Sequence, residues 1–223
     1  MSPKIVRGIG MTSARTQQRL VERLRDQGIH RLDVLNAIAT TPRHRFIDEA
    51  LAHRAYDDTA LPIGFGQTIS QPYIVALMTQ TILDQHQGPC QKVLEIGSGS
   101  GYQAAVLANL VKAVYSIERV ESLYHQAKTR LKDLGHPNVF FRYGDGYAGW
   151  PEEAPFDAII VTAAAPEIPE SLKLQLASEG GIMVLPIGKI GDQDLALVTR
   201  HQDDFKEQSL CPVRFVPFLP GLA

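Results

Sequence analysis

The sequence predicts an α/β fold in which a mainly parallel β-sheet carries helices on both faces. From Pro72 onwards, short apolar runs alternate with segments whose apolar residues recur at helical spacing. The helical segments are long enough to act as crossover connections, which join parallel strands and cover both faces of a sheet. The last apolar runs are separated only by short breaks, which favour antiparallel strands at the end of the chain.

Up to about residue 55 the sequence pattern is helical. Apolar residues at helical spacing predict an amphipathic helix over residues 16–27, and a second helix between Asp33 and Pro42. We expect residues 1–60 to form a helical N-terminal cap on a cofactor-binding domain, residues 61–223. The two parts are expected to make one compact unit.

The remaining elements follow from the same two periodicities. Residues 59–71 are rich in Gly, Thr and Ser without periodicity, so they predict a long loop of the kind that often carries functional residues. Helices are predicted over residues 73–85, 100–110 and 120–134. Strands are predicted over residues 92–96, 113–117, 139–143, 157–162, 181–185, 195–199 and 213–218.

The composition is that of an ordinary globular protein. Apolar residues make up 44% and charged residues 21% of the chain, which excludes the disordered and collagen classes. No apolar stretch approaches the roughly 18–20 residues that cross a bilayer, and no signal peptide is visible. The two cysteines, Cys90 and Cys211, make neither a disulfide framework nor a zinc ligand set. We therefore expect a cytoplasmic protein without membrane association.

Positive charge is concentrated near the N-terminus. The formal net charge is −2, yet residues 1–45 hold nine Lys and Arg residues and only three acidic ones. Such an asymmetry can mark an arm that binds phosphates. Here the arginines interleave with Leu20, Val21 and Leu24 at helical spacing, so we interpret them as the solvated faces of helices.

The most informative motif joins the strand at 92–96 to the next helix. The strand runs into Gly-Ser-Gly-Ser-Gly at 97–101, and Tyr102 opens the helix. In such sheets ligands bind at the carboxyl ends of strands, where glycine lets them lie against bare backbone. A dinucleotide fingerprint requires its third glycine at position 102. The spacing instead is that of S-adenosylmethionine-dependent methyltransferases, whose cofactor has no phosphate. The predicted cofactor contacts in this loop are Gly97, Ser98, Gly99 and Gly101.

Two acidic residues follow neighbouring strands at the same predicted edge. Glu118 ends the second strand of the sheet, where a carboxylate can accept hydrogen bonds from both hydroxyls of a ribose. Asp145 and Gly146 follow the third strand, and the Asp145 carboxylate can accept a hydrogen bond from an adenine amino group. The alternative for Asp145 is an ordinary Asp-Gly turn.

The sequence resembles a known family, the protein-L-isoaspartate O-methyltransferases. The similar segments occur in order at residues 66–76, 93–105, 144–146, 156–162 and 214–217. The glycine loop is shared by many methyltransferases. The block Gln-Thr-Ile-Ser-Gln-Pro at 67–72 is much more particular to this family.

The resemblance implies a Rossmann-like S-adenosylmethionine-dependent methyltransferase fold with rearranged C-terminal strands, and a cytoplasmic repair enzyme. Such enzymes methylate the free α-carboxylate of L-isoaspartyl residues in damaged proteins and peptides. The ester collapses to a succinimide, whose hydrolysis returns some normal aspartate. The resemblance places Ser70 at the active-site position, with Ile69 and Val216 as substrate-binding residues. The implied cofactor is S-adenosylmethionine, with no metal.

This chemistry requires no conspicuous catalytic set. A carboxylate with a pKa near 4 is ionised at neutral pH, so no general base is needed and alignment supplies most of the rate. The hydroxyl of Ser70 can donate a hydrogen bond to the substrate carboxylate. Without the resemblance, the favoured explanation is a polar residue that enters a helix, because serine is favoured at helix N-caps.

Three other functions stay open as alternatives. A nucleic-acid methyltransferase could use the basic N-terminal helices, although residues 162–166 lack the (Asp/Asn)-Pro-Pro-(Tyr/Phe) block of enzymes that methylate amino groups on DNA. An NAD-linked oxidoreductase is disfavoured by Tyr102, and a non-catalytic cofactor-binding module is disfavoured by the intact Ser70 loop. The seven histidines show no metal-ligand spacing. We expect a monomer that acts on isoaspartyl proteins and peptides, with no nucleic-acid partner.

Overall fold

The computed structural model describes residues 14–223, so residues 1–13 of the predicted N-terminal cap lie outside the described part of the chain. The helices are α1 (Ala14–Asp26), α2 (Leu32–Thr40), α3 (Pro72–Gln85), α4 (Tyr102–Ala108), α5 (Glu121–Asp133) and α6 (Glu170–Lys173). The first two strands are β1 (Leu61–Gly64) and β2 (Gln67–Ile69). The others are β3 (Lys92–Ile96), β4 (Ala113–Glu118), β5 (Val139–Tyr143), β6 (Ala158–Val161), β7 (Glu179–Lys189), β8 (Asp192–His201) and β9 (Asp204–Val213).

Seven of the strands form one sheet in the order β5-β4-β3-β6-β7-β8-β9. The pairs from β5 through β7 are parallel, whereas β7–β8 and β8–β9 are antiparallel. This confirms the predicted α/β fold and its rearranged final strands. The direction of strand order reverses at β3, so a crevice is expected at its carboxyl end.

The central strands of the sheet are buried on both faces. Successive residues of β3 alternate between two hydrophobic clusters, with Val93 in one and Leu94 in the other. The first cluster also contains residues from α1 to α4, and the second contains Leu172 of α6. Helix α2 contacts α3 and α4, so the N-terminal helices pack on the helix that follows the glycine loop.

Two predicted elements are wrong. Residues 59–71 are not a plain loop, because β1 and β2 pair there as an antiparallel hairpin. The last strand lies at Asp204–Val213 and not at 213–218. Only an isolated bridge between Ala164 and Pro217 forms in the predicted region. Most of β9 is exposed at the sheet edge, so it lacks the apolar run that marked the other strands.

No helix among residues 14–223 has the length and apolar character to cross a membrane. Both Cys90 and Cys211 carry free thiols.

Candidate active site

A cavity lies at the carboxyl edge of the sheet, at the point where the strand order reverses. It encloses about 830 Å³, its open mouth included. Its walls come from the loop after β3, the end of β4, the turn after β5, the end of β6, the β2–α3 connection and the C-terminal segment. Eight of the ten predicted cofactor and substrate residues line it together: Ile69, Ser70, Gly97, Ser98, Gly99, Glu118, Gly146 and Val216.

The first glycine of the loop is required by a close approach to β6. Gly97 has φ +93°, and a Cβ built on it would lie 2.4 Å from Thr162 Oγ1. The Thr162 hydroxyl is fixed there because it donates to the carbonyls of Ile96 and Gly97, at 3.0 and 2.8 Å. Any side chain at position 97 would therefore both strain the backbone and displace Thr162.

The third glycine packs closely against α5, and its predicted cofactor contact stays a prediction. Gly101 does not line the cavity. It has φ +87°, and a Cβ there would lie 2.6 Å from Leu131 Cδ1 and 3.3 Å from Ala127 Cβ. The structure thus favours close packing of the loop against α5 as the reason for this glycine. Tyr102, at the start of α4, is 2% exposed and lines the cavity instead.

Glu118 ties the glycine loop to the end of β4. Its side chain is 5% exposed, and its Oε2 accepts a hydrogen bond from the Gly99 N–H at 2.8 Å. Its Oε1 accepts from the Val120 N–H at 2.9 Å. Each carboxylate oxygen has a further lone pair, so Glu118 can hold the loop and still accept hydrogen bonds from a ribose.

Asp145 precedes Gly146 of the cavity wall and does not itself line the cavity. Its Oδ1 accepts from the Tyr147 N–H at 2.9 Å, which is the geometry of the Asp-Gly turn. Its Oδ2 accepts from the Gly221 N–H at 2.7 Å. The structure therefore favours a role in fixing the C-terminal segment, and adenine recognition by Asp145 stays a prediction.

A buried polar chain runs beneath the loop. The hydroxyls of Ser98 and Ser116 lie 2.6 Å apart, and Ser116 also hydrogen-bonds to Glu95 Oε2. Complete burial raises the pKa of Glu95 to about 8, although the hydrogen bond from Ser116 opposes the rise. The nearby charge of Glu118 raises the pKa further. At neutral pH the Glu95 carboxyl is thus mostly protonated and adds little negative charge below the cavity.

Ser70 occupies the connection between β2 and α3. The N-cap of α3 is Gln71, and Asp58 Oδ1 accepts the Tyr73 N–H at 2.9 Å. The hydroxyl of Ser70 makes no hydrogen bond within residues 14–223. The N-cap explanation for this serine is therefore wrong, and its hydroxyl is available to a ligand.

A second, open groove adjoins the cavity on the other side of Ser70. It encloses about 990 Å³, its mouth included, and lies between the segment before β1, the start of α3 and the residues after β9. Four residues line both spaces: Thr68, Ser70, Thr162 and Val216. A substrate bound in the groove can therefore contact a cofactor bound in the cavity beside these four residues.

Sequence reasoning missed several residues of the cavity. Thr162 follows β6 at the same edge as Glu118, so the rule that indicated Glu118 also applies to it. Arg119, Phe218 and Leu219 line the cavity as well. Phe218 stacks on Tyr147, with ring centroids 4.0 Å apart. No local pattern indicates these C-terminal contacts, because they depend on the chain returning across the sheet edge.

The lining fits S-adenosylmethionine. Gly97 and Gly99 offer bare backbone, Glu118 offers a buried carboxylate, and Ile96 and Ile117 offer apolar walls. Among residues 14–223, no three His, Cys, Asp or Glu side chains lie close enough together to hold a metal ion.

Comparison with known proteins agrees with this geometry. The family model for protein-L-isoaspartate(D-aspartate) O-methyltransferase matches residues 15–222. The chain belongs to this family. Protein-L-isoaspartate O-methyltransferase from Pseudomonas paraeruginosa is 56% identical over 95% of this chain and 99% of its own. The enzyme of that name from Cellvibrio japonicus is 52% identical over the whole of both chains.

A solved structure of the same family contains a bound ligand. It is a candidate protein-L-isoaspartate O-methyltransferase from Plasmodium falciparum in complex with S-adenosyl-L-homocysteine. Its TM-score is 0.78 at 28% identity, over 91% of this chain and 98% of that one. As a protein-L-isoaspartate(D-aspartate) O-methyltransferase, this chain is an S-adenosylmethionine-dependent enzyme.

Proposed function

We propose that this chain transfers a methyl group from S-adenosylmethionine to the free α-carboxylate of L-isoaspartyl residues in damaged proteins and peptides, with Ser70 positioning that carboxylate. The observation that carries the proposal is the meeting of cavity and groove at Ser70, whose hydroxyl is unbonded within the described chain. The ester then collapses to a succinimide, which begins repair.

The chain's own contribution is alignment and exclusion of water. When bound, S-adenosylmethionine supplies an electrophilic methyl group whose transfer leaves a neutral thioether. The substrate carboxylate is ionised at neutral pH, so no side chain has to remove a proton. Ser70 directs one carboxylate oxygen towards the cavity, while Glu118 and the backbone at Gly97 fix the cofactor. Because the reaction consumes one negative and one positive charge, the apolar walls at Ile69 and Phe218 favour it by excluding water.

A labelling experiment with three acceptors tests the proposal. The protein is incubated with methyl-labelled S-adenosylmethionine and an isoaspartyl peptide, its aspartyl twin, or nucleic acid. We expect base-labile label in the isoaspartyl peptide alone. Label in nucleic acid would support the nucleic-acid alternative, and no label in any acceptor would support a non-catalytic module.

The role of Ser70 has its own test. A hydrogen bond to a charged group contributes about 1.5–3 kcal/mol, so Ser70→Ala should lower kcat/KM for the isoaspartyl peptide roughly 10- to 100-fold. Binding of S-adenosylhomocysteine should change little. Ser209→Ala, at an exposed position of β9, is the matched control. Methylation by Ser70→Ala at the parent rate would overturn the assignment.

The proposal extends to assembly and location. We propose a monomer as the active form. The free thiols of Cys90 and Cys211 support a reducing compartment, the cytoplasm. Light scattering and fractionation of cells test these two points.

A further inference from the structure

The groove beside Ser70 carries a single charged side chain. Arg214 is the only ionisable residue of the described lining. The other lining residues are uncharged, Thr59, Gln71, Ile74 and Phe215 among them. Arg214 is exposed and forms no ion pair or hydrogen bond within residues 14–223. A peptide in the groove therefore meets one positive charge that the protein itself does not neutralise.

The backbone that presents Arg214 is anchored on both sides. Gln193 is 6% exposed, and its side-chain amide clamps the following residue: Oε1 accepts from the Phe215 N–H at 2.6 Å, and Nε2 donates to the Phe215 carbonyl at 3.2 Å. On the other side of this clamp, Ala164 N–H donates to the Val216 carbonyl at 2.8 Å. The residue before Arg214, Val213, is the paired end of β9. Arg214 is thus held at the groove even though its side chain is free.

The same anchored segment also forms the wall at Ser70. Val216, two residues after Arg214, lines both the groove and the cavity. Two residues of extended chain span roughly 7 Å. A peptide whose isoaspartyl carboxylate lies at Ser70 would therefore place a flanking residue within reach of the Arg214 guanidinium.

We propose that Arg214 is a specificity-determining residue that favours isoaspartyl sites flanked by acidic residues over sites flanked by basic ones. This inference rests on the proposed function. A flanking carboxylate pairs with Arg214, whereas a flanking lysine is repelled by it. Because the pair stays in contact with water, its effect is that of an exposed ion pair, about two- to fivefold in kcat/KM. Salt screens such a pair, so the preference declines as ionic strength rises.

Three isoaspartyl peptides that differ only in one flanking residue, Glu, Gln or Lys, test the inference. For the parent protein we expect kcat/KM to fall in that order. Arg214→Gln should bring the Glu:Lys ratio close to one, and Arg214→Glu should reverse the order. Lys206→Gln is the matched control, because Lys206 is an exposed cation near the far end of β9 and its loss changes net charge equally.

The outcomes separate this inference from the proposed function. Methylation of the Gln-flanked peptide reports on the function alone, and its absence in the parent protein would overturn the function. Two results would overturn the role of Arg214 and leave the function standing. One is methylation of all three peptides at equal kcat/KM by the parent protein. The other is an order of preference that stays the same in Arg214→Glu as in the parent. A preference lost equally in Lys206→Gln would show that net charge, and not Arg214, is responsible.

Discussion

Substituting Gly97 by alanine tests the account of the glycine loop. Position 97 has φ +93°, and an alanine in this left-handed backbone conformation destabilises the folded state by about 1–2 kcal/mol. Its Cβ would also lie 2.4 Å from Thr162 Oγ1, and overpacking of this kind costs about 1–3 kcal/mol. Gly97→Ala should therefore lower the free energy of unfolding by about 2–5 kcal/mol, measured by urea denaturation.

A control separates the two costs. Gly28 has φ +100°, and a Cβ there meets no atom within 4 Å. Gly28→Ala should consequently show only the backbone cost, about 1–2 kcal/mol. The difference between the two variants measures the contact with Thr162.

A double-mutant cycle tests the contact itself. Thr162→Ala removes Oγ1 and leaves the Thr162 Cβ 3.8 Å from the new methyl group, an ordinary contact distance. The double variant should therefore be about 1–3 kcal/mol more stable than the sum of the single effects predicts. Additive effects, within about 0.5 kcal/mol, would refute the claim that Gly97 is required by its approach to Thr162.

Two further predictions concern the carboxyl groups around the loop. Glu118→Gln keeps the shape of the side chain but removes the negative charge that strengthens its hydrogen bonds from the ribose. The Kd for S-adenosylhomocysteine, measured by calorimetric titration, should therefore rise roughly 10- to 100-fold. An unchanged Kd would contradict ribose recognition by Glu118. Because burial raises the pKa of Glu95 to about 8, its protonated form stabilises the native state fully below about pH 4.5, and this stabilisation is lost as pH rises through 8. Glu95→Gln, neutral at every pH, should thus gain stability relative to the parent between pH 5 and 8, by at most about 1.4 kcal/mol per pH unit. A difference that is constant with pH would show that Glu95 is not held protonated.

The fold was largely predictable because its central strands are buried on both faces. The limits of β3 and β5 agree with prediction, since a short, mainly apolar run between two helical segments allows few other structures. The hairpin of β1 and β2 was missed because its strands have only four and three residues. The edge strand β9 was misplaced because it carries charged residues such as Asp204, Lys206 and Glu207 where buried strands carry apolar ones.

The site was predictable where residues follow strand ends, and less so elsewhere. Glu118 and the glycine loop were found because the carboxyl ends of parallel strands meet at one edge. Gly101 also packs closely against α5, and the spacing of the motif alone cannot distinguish such a packing role from a ligand contact. The groove at Arg214 depends on the clamp by Gln193 from a neighbouring strand, and no local pattern encodes such a contact.

The most direct test of the account is a crystal structure with S-adenosylhomocysteine and an isoaspartyl peptide bound together. We predict the thioether in the cavity above Gly97, and one oxygen of the α-carboxylate within hydrogen-bond distance of Ser70 Oγ. That oxygen should lie about 3–3.5 Å from the position that a transferable methyl group would occupy on the sulfur. A carboxylate bound away from Ser70, or facing the side of the sulfur opposite to the groove, would contradict the account.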